Sequence, residues 1–324
     1  MGRTAIETFG LSKVYDGTVA VDNLSFQVFS GEIFGLLGPN GAGKSTTLRM
    51  LMTLLRPTGG HATVMGHDVV RNPERVRATI GYVPQERALD RFLTGREHLL
   101  LLGDLYHLPK QEARRRIDEI LTLVDLGAKA DLPAKTYSGG MKRKLDIACG
   151  LLPNPSVLFL DEPTLGLDVP SRLRIWEYIH TLKARGITIL MTTNYLDEAD
   201  QLCDRIAIID SGRIKALGSP SELKAGLGGD SLSLTVAPQA RPCLDQFAAA
   251  LKELPPVRSV TPTAHGVDVR VESSEKALQL VLDTANRLGC QLDSIEYHRP
   301  RLDDVFIAYT GRAIKEEFPT PEEE

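Results

Sequence analysis

Along the first two thirds of the chain, short apolar runs bounded by glycine alternate with segments whose apolar positions recur at helical spacing. Glu32–Leu37 and Ile80–Val83 are such runs, and Val157–Leu160 and Ile187–Met191 are β-branched or fully apolar, the pattern of strands buried on both faces. Between them, Lys44–Leu55, Gly95–Leu108, Lys110–Val124 and Ser171–Arg185 read as helices. Strand alternating with helix implies an α/β domain built on a largely parallel sheet. The opening differs: Ile6–Phe29 reads as antiparallel strands folded about an Asp16–Gly17 turn.

The pattern changes after Leu217–Leu227, where GSPSELKAGLGGD supplies glycine and polar residues at a boundary. From there the order is strand (Ser231–Val236), helix (Leu244–Leu254), two strands (Val257–Thr263 and Gly266–Glu272), helix (Glu275–Leu288) and strand (Gln291–His298). This β-α-β-β-α-β order predicts a small ferredoxin-like α+β domain. The expected organisation is a nucleotide-binding domain over residues 4–226, an accessory domain over 230–312 and an acidic, disordered tail over 313–324.

Composition narrows the class. With 324 residues, 42% hydrophobic and 25% charged, the chain has the makeup of a globular protein of two domains. The longest charge-free stretch, Ile147–Leu160, is 14 residues and contains Pro153 and Pro155. A bilayer requires about 20 apolar residues, so no membrane-spanning helix is predicted. The N-terminus has no apolar core followed by a small-residue cleavage site, which predicts a protein that stays in the cytosol. A net charge of −4 argues against a nucleic-acid partner. Cys149, Cys203, Cys243 and Cys290 are 54, 40 and 47 residues apart, which fits no metal site and predicts four free thiols.

The chemistry begins at Gly38-Pro39-Asn40-Gly41-Ala42-Gly43-Lys44-Ser45, two glycines separated by four residues and followed by Lys-Ser, between a strand and a helix. That is the P-loop pattern in its required context. Glycines let successive N–H groups turn inward around phosphate oxygens, and the helix start adds about half a positive charge. Lys44 would reach the β- and γ-phosphates, Ser45 would ligate Mg²⁺ and Thr46 would cover the α-phosphate of a nucleoside triphosphate. A second station closes Val157–Leu160, where Asp161 and Glu162 follow four apolar residues. Acids at the carboxyl end of a parallel strand lie where such sheets bind ligands. Asp161 would support the Mg²⁺ shell, and Glu162 would take a proton from the attacking water.

Tyr137-Ser138-Gly139-Gly140-Met141 resembles the signature of ABC ATPases, LSGGQ, with Tyr for Leu and Met for Gln. Ser138 lies 100 residues after Gly38 and 23 before Asp161, the order and spacing of that family. The resemblance covers residues 4–226 and implies ATP and Mg²⁺ as ligands. It also implies a homodimer in which each chain lends Ser138, Gly139 and Gly140 to the partner's P-loop. Tyr15 matches the aromatic that stacks on adenine. Gln85 matches the glutamine that meets Mg²⁺ and the attacking water, and Asp168 matches the loop that touches the other subunit. Asn194 stands where the family usually has a histidine against the γ-phosphate. An asparagine keeps one amide donor but carries no charge, which implies slower hydrolysis with Glu162 intact.

Two stretches resemble the daunorubicin-resistance type of exporter ATPases: Tyr195–Leu202 and Arg301–Gly311. That likeness implies export of a drug-like or lipid- or polysaccharide-like compound through a separate transmembrane permease. The ATPase would then sit at the cytoplasmic face of the membrane. The permease would insert near Gln85 and the segment Glu86–Leu105, although the apolar Leu99–Leu102 reads first as core. Arg114–Arg116 and Lys142–Lys144 read as solvated helix faces. The alternative is an ABC ATPase of translation or DNA repair. The single P-loop and the short spacing to the signature weigh against it.

Overall fold

The computed structural model describes residues 3–86, 89–227, 229–237, 242–263, 265–271 and 274–313, so the expected acidic tail lies almost wholly outside them. Two compact units divide between Ser219 and Pro220.

In the first unit, β1 (Thr4–Tyr15) and β2 (Thr18–Phe29) form the expected hairpin. Asp16 and Gly17 both take positive φ, 43° and 83°. That geometry matches the right-handed twist of the strands on either side. β4 (Gly59–Val64) pairs with β1 and β5 (His67–Asp68) with β4, giving an antiparallel sheet of order β2-β1-β4-β5.

Against it lies a six-stranded sheet of order β10-β9-β3-β8-β7-β6. Its strands are β3 (Ile33–Leu37), β6 (Ile80–Val83), β7 (Val157–Asp161), β8 (Thr188–Thr193), β9 (Arg205–Asp210) and β10 (Arg213–Gly218). Only β10 runs antiparallel to its neighbour. β3, β7 and β8 are buried at every residue, as their unbroken apolar character predicts. One core joins the two sheets: Leu11, Val21 and Phe26 pack with Phe34, Leu36 and Leu48, and the rings of Phe26 and Phe34 stack at 5.3 Å.

The helices of this unit are α1 (Lys44–Leu51), α2 (Pro73–Arg77), α3 (Gly95–Leu105), α4 (Lys110–Leu123), α5 (Gly139–Leu151), α6 (Val169–Ala184) and α7 (Leu196–Leu202). α3 starts in a capping box, with the Thr94 hydroxyl accepting from Glu97 N–H and the Glu97 carboxylate accepting from Thr94 N–H. α3 and α4 are the helical insertion between β6 and the signature. No helix among the described residues is long and apolar enough to cross a membrane.

The second unit contains α8 (Pro220–Ala225), β11 (Asp230–Val236), α9 (Leu244–Lys252), β12 (Val257–Pro262), β13 (Gly266–Val271), α10 (Ser274–Arg287), β14 (Leu292–His298) and α11 (Leu302–Thr310). The four strands are antiparallel in the order β12-β13-β11-β14, the ferredoxin-like arrangement. One sheet face carries Leu232, Leu234, Val267 and Val269 into a core with Phe247, Leu251, Val281 and Ala285 of α9 and α10. The expectation of four free thiols fails here: Cys243 and Cys290 are bonded as a disulfide, with Cα atoms 5.8 Å apart. Cys243 precedes α9 and Cys290 follows α10, so two helices lying on one sheet bring together residues that are 47 apart in sequence. Cys149 and Cys203 are free.

Candidate active site

β3 runs buried to Leu37 and hands the chain to the loop 38–43. Gly41 and Gly43 take φ of 78° and 101°, which side-chain-bearing residues rarely adopt. A Cβ on Gly43 would stand 2.6 Å from the Ala20 carbonyl oxygen, and one on Gly38 would stand 2.2 Å from that of Ile209. The glycines therefore answer to both backbone conformation and close approach. Gly43 begins α1 with no side-chain cap, which leaves the helix's first N–H groups without a side-chain acceptor. Loop and helix start bound a cleft of about 400 Å³ lined by Ala20, Pro39, Asn40, Gly41, Ala42, Gly43, Lys44, Ser45, Thr46, Gln85 and Glu162.

Within this cleft the Lys44 ammonium is buried, 3.2 Å from Glu162 Oε1, and donates to the carbonyl oxygens of Gly38 at 2.7 Å and Pro39 at 3.3 Å. Burial pulls the Lys44 pKa down, and the Glu162 and Asp161 carboxylates work in the opposite direction. Asp161 ends β7; its Oδ1 accepts from the Ser45 hydroxyl at 3.1 Å and the Thr192 hydroxyl at 2.5 Å. Ser45 and Asp161 thus form one oxygen cluster at the base of the P-loop.

Glu162 has a φ of 46°, and its N–H donates to the Thr192 hydroxyl at 3.0 Å and the Thr192 carbonyl at 3.2 Å. Asn194 follows β8 and is buried, and its Oδ1 has no hydrogen-bond partner among the described residues. Neighbouring Thr193 accepts from Gly38 N–H at 3.3 Å, so this strand end adjoins the P-loop.

Tyr15, Ser138, Gly139, Gly140 and Asp168 stand apart from the cleft lining. Tyr15 is exposed at the end of β1, with the Lys13 ammonium 5.0 Å from its ring centre. Ser138 caps α5, accepting from Met141 N–H at 3.3 Å, and Gly139 and Gly140 open that helix. Asp168 caps α6, accepting from Ser171 N–H at 3.3 Å.

The reading of Lys142–Lys144 as a solvated face is corrected at its centre. Arg143 is buried, and its guanidinium donates to the carbonyl oxygens of Pro84 (2.6 Å), Asp161 (3.1 Å), Glu162 (3.1 Å) and Pro163 (2.6 Å). Its spacing held the signal: Arg143, Asp146 and Gly150 fall at i, i+3 and i+7, all on a buried stripe of α5. Glu198 was also passed over. It is fully buried, and Oε1 accepts from the Thr164 hydroxyl at 2.6 Å and the Trp176 indole at 3.1 Å. Burial raises its pKa, against the pull of the Thr164, Thr193 and Trp176 hydrogen bonds.

Fold and cleft together define a P-loop nucleotide-binding cassette. Residues 21–165 match the ABC transporter family, and 218–310 match the C-terminal domain of DrrA1-3-like ATP-binding proteins. The daunorubicin/doxorubicin resistance ATP-binding protein DrrA of Streptomyces peucetius is 45% identical over 95% of this chain and 92% of its own length. The linearmycin resistance ATP-binding protein LnrL of Bacillus subtilis is 37% identical over 96% and 100%. Among solved structures, an ATP-binding subunit of an ABC transporter aligns with a TM-score of 0.62 at 34% identity, covering 69% of this chain and 94% of that one. A dimeric ATP-binding cassette in a post-hydrolysis state with ADP and Pi aligns with a TM-score of 0.59 at 26% identity, covering 66% and 98%. The chain belongs to the ATP-binding proteins of ABC transporters, closely related to the DrrA-type drug-resistance ATPases. It is accordingly an ATP-binding and ATP-hydrolysing P-loop subunit.

Proposed function

We propose that two copies of this chain sandwich ATP, and that hydrolysis there drives export of a drug-like or lipid-like compound through a separate permease. The observation that carries this reading is the split site. Lys44, Ser45, Asp161, Gln85 and Glu162 gather at the P-loop, while Ser138–Gly140 and Asp168 lie outside that cleft. A second chain supplies the missing half.

In this reading the loop 38–46 cradles the phosphates and Lys44 trades Glu162 for the β- and γ-oxygens. That frees the carboxylate to take a proton as water attacks the γ-phosphorus and ADP departs. Ser45, Asp161 and Gln85 would hold Mg²⁺, which supplies charge neutralisation on the phosphates. The oxygen cluster of Ser45 and Asp161 suits a hard cation. Tyr15 would stack on adenine, and Asn194 would donate its amide to the γ-phosphate.

Export through a permease rests on the drug-resistance relatives. The helical insertion supports a partner as well: Phe92 is 68% exposed and Leu105 65%, with Leu101 and Tyr106 also open, whereas Leu99 is core. A subunit docked there would lie at the cytoplasmic face of a membrane. Residues 4–226 would form the ATPase domain and 230–312 the accessory domain. In the latter, α11 buries Leu302, Val305 and Phe306 and exposes Ile307 and Tyr309. The test is phosphate release from ATP by the purified chain with and without its permease in vesicles. Glu162→Gln and Ser138→Arg should each reduce release at least tenfold. Undiminished release in both would overturn the reading.

A further inference from the structure

We propose that Arg143 is a positioning residue for hydrolysis, holding Glu162 and the Gln85 segment in register and linking both to the signature helix. The inference rests on the reading of Glu162 as the base that activates water.

Four carbonyl oxygens on two separate stretches of chain converge on one buried guanidinium. Nη1 takes Pro84, the residue before Gln85; Nε takes Pro163; Nη2 takes Asp161 and Glu162. At 3% exposure water does not compete for these donors, and Asp146 Oδ2 lies 3.9 Å from Nη1. A planar fork with five donors serves two stretches of chain at once, which a lysine ammonium on a single axis does not. Glu162 needs such support. Its φ of 46° lies in the left-handed region, and non-glycine residues stay there only when their surroundings over-determine the conformation. Thr192 holds Glu162 by its N–H, and Arg143 holds it by its own carbonyl and those on either side.

Arg143 sits on α5, five residues beyond the Ser138 cap and about 8 Å along the axis. A helix is stiff over that length. When Ser138–Gly140 engage the phosphates held by the partner chain, a shift of α5 reaches Pro84 and Pro163 through the Arg143 guanidinium. Hydrolysis in a chain's own cleft is thereby coupled to engagement of its signature.

The experiment uses the full-length chain and compares Arg143→Gln, Arg143→Lys and Glu162→Gln. It measures kcat, the Kd for a non-hydrolysable ATP analogue, and the single-turnover rate. The expected result for Arg143→Gln is a kcat lower by about 10- to 100-fold, the scale of hydrogen bonds to a charged group, with analogue affinity within about twofold. Arg143→Lys, which keeps the charge but not the fork, should recover only part of the loss. In the Glu162→Gln background, Arg143→Gln should lower the residual rate no further. Should Arg143→Gln fail to fold, the lysine variant carries the test through the same split between kcat and Kd. The proposal is overturned by kcat within twofold of the parent in a folded variant, by equal losses in Kd and kcat, or by full additivity with Glu162→Gln. If instead Glu162→Gln hydrolyses as fast as the parent, the reading of Glu162 itself falls.

Discussion

Lys44 Nζ lies 3.2 Å from Glu162 Oε1 with both side chains buried, so the P-loop cation and the Glu162 carboxylate neutralise each other across the cleft. Removing either alone strands the other. Lys44→Met should destabilise the chain by about 1–3 kcal/mol, the penalty of an unsatisfied buried polar group. The double variant Lys44→Met/Glu162→Gln should recover most of that. Urea unfolding of the four proteins checks it: additive losses would show that the pair is uncoupled.

Glu198 predicts a pH effect on stability. Burial raises its pKa above the ordinary 4.5. A raised carboxyl contributes stability that is fully present below the ordinary value and is lost as pH rises toward the folded value. Glu198→Gln keeps an acceptor for Thr164 and Trp176 and does not ionise. The melting temperature of the variant minus that of the parent should therefore rise between pH 5 and pH 8. A difference flat across that range would contradict the burial argument.

The thiols predict a count. Burial pushes the Cys149 thiol up to about 12 and the fully buried Cys203 thiol well above its usual value, so neither reacts at neutral pH in the folded chain. A thiol reagent should label none in the native protein, two after denaturation and four after denaturation with reductant. Reduction should also destabilise the second unit, by up to about 4 kcal/mol for a loop of this length. Four labels without reductant would show that Cys243 and Cys290 are unpaired.

Asn194 predicts a gain of function. Its Oδ1 is buried without a hydrogen-bond partner among the described residues, and its amide carries no charge. Asn194→His should raise kcat by about 10-fold or more, the scale of a charge-assisted bond. An unchanged or lower kcat would show that the site is tuned to the amide.

The central strands were legible because burial on both faces leaves an unbroken apolar run, and the P-loop because its glycines answer to local geometry. Ile80–Val83 was read to the residue, as was the Asp16–Gly17 turn. Four strands lie outside the reading, for different causes, and His67–Asp68 is only two residues long. Gly59–Val64 opens with two glycines and buries only Ala62 and Val64, too little for a pattern. Arg205–Asp210 carries the same apolar signal as Val157–Leu160 and, with Arg213–Gly218, was legible. The side chains that gather at the cleft were named from motifs. Arg143 and Glu198 were not, because a charged residue on a helix reads as solvated until its carbonyl or hydroxyl partners, far off in sequence, are brought to it. The Cys243–Cys290 pair escaped for the same reason: its closeness depends on how α9 and α10 lie on their sheet.

The most direct test of the split site is the mass of the Glu162→Gln chain by light scattering, with saturating ATP and Mg²⁺ and without nucleotide. Removing the Glu162 carboxylate should leave ATP bound between each P-loop and the partner's signature. The account predicts a dimer with ATP and a monomer without it. A mass that does not change with ATP would contradict it.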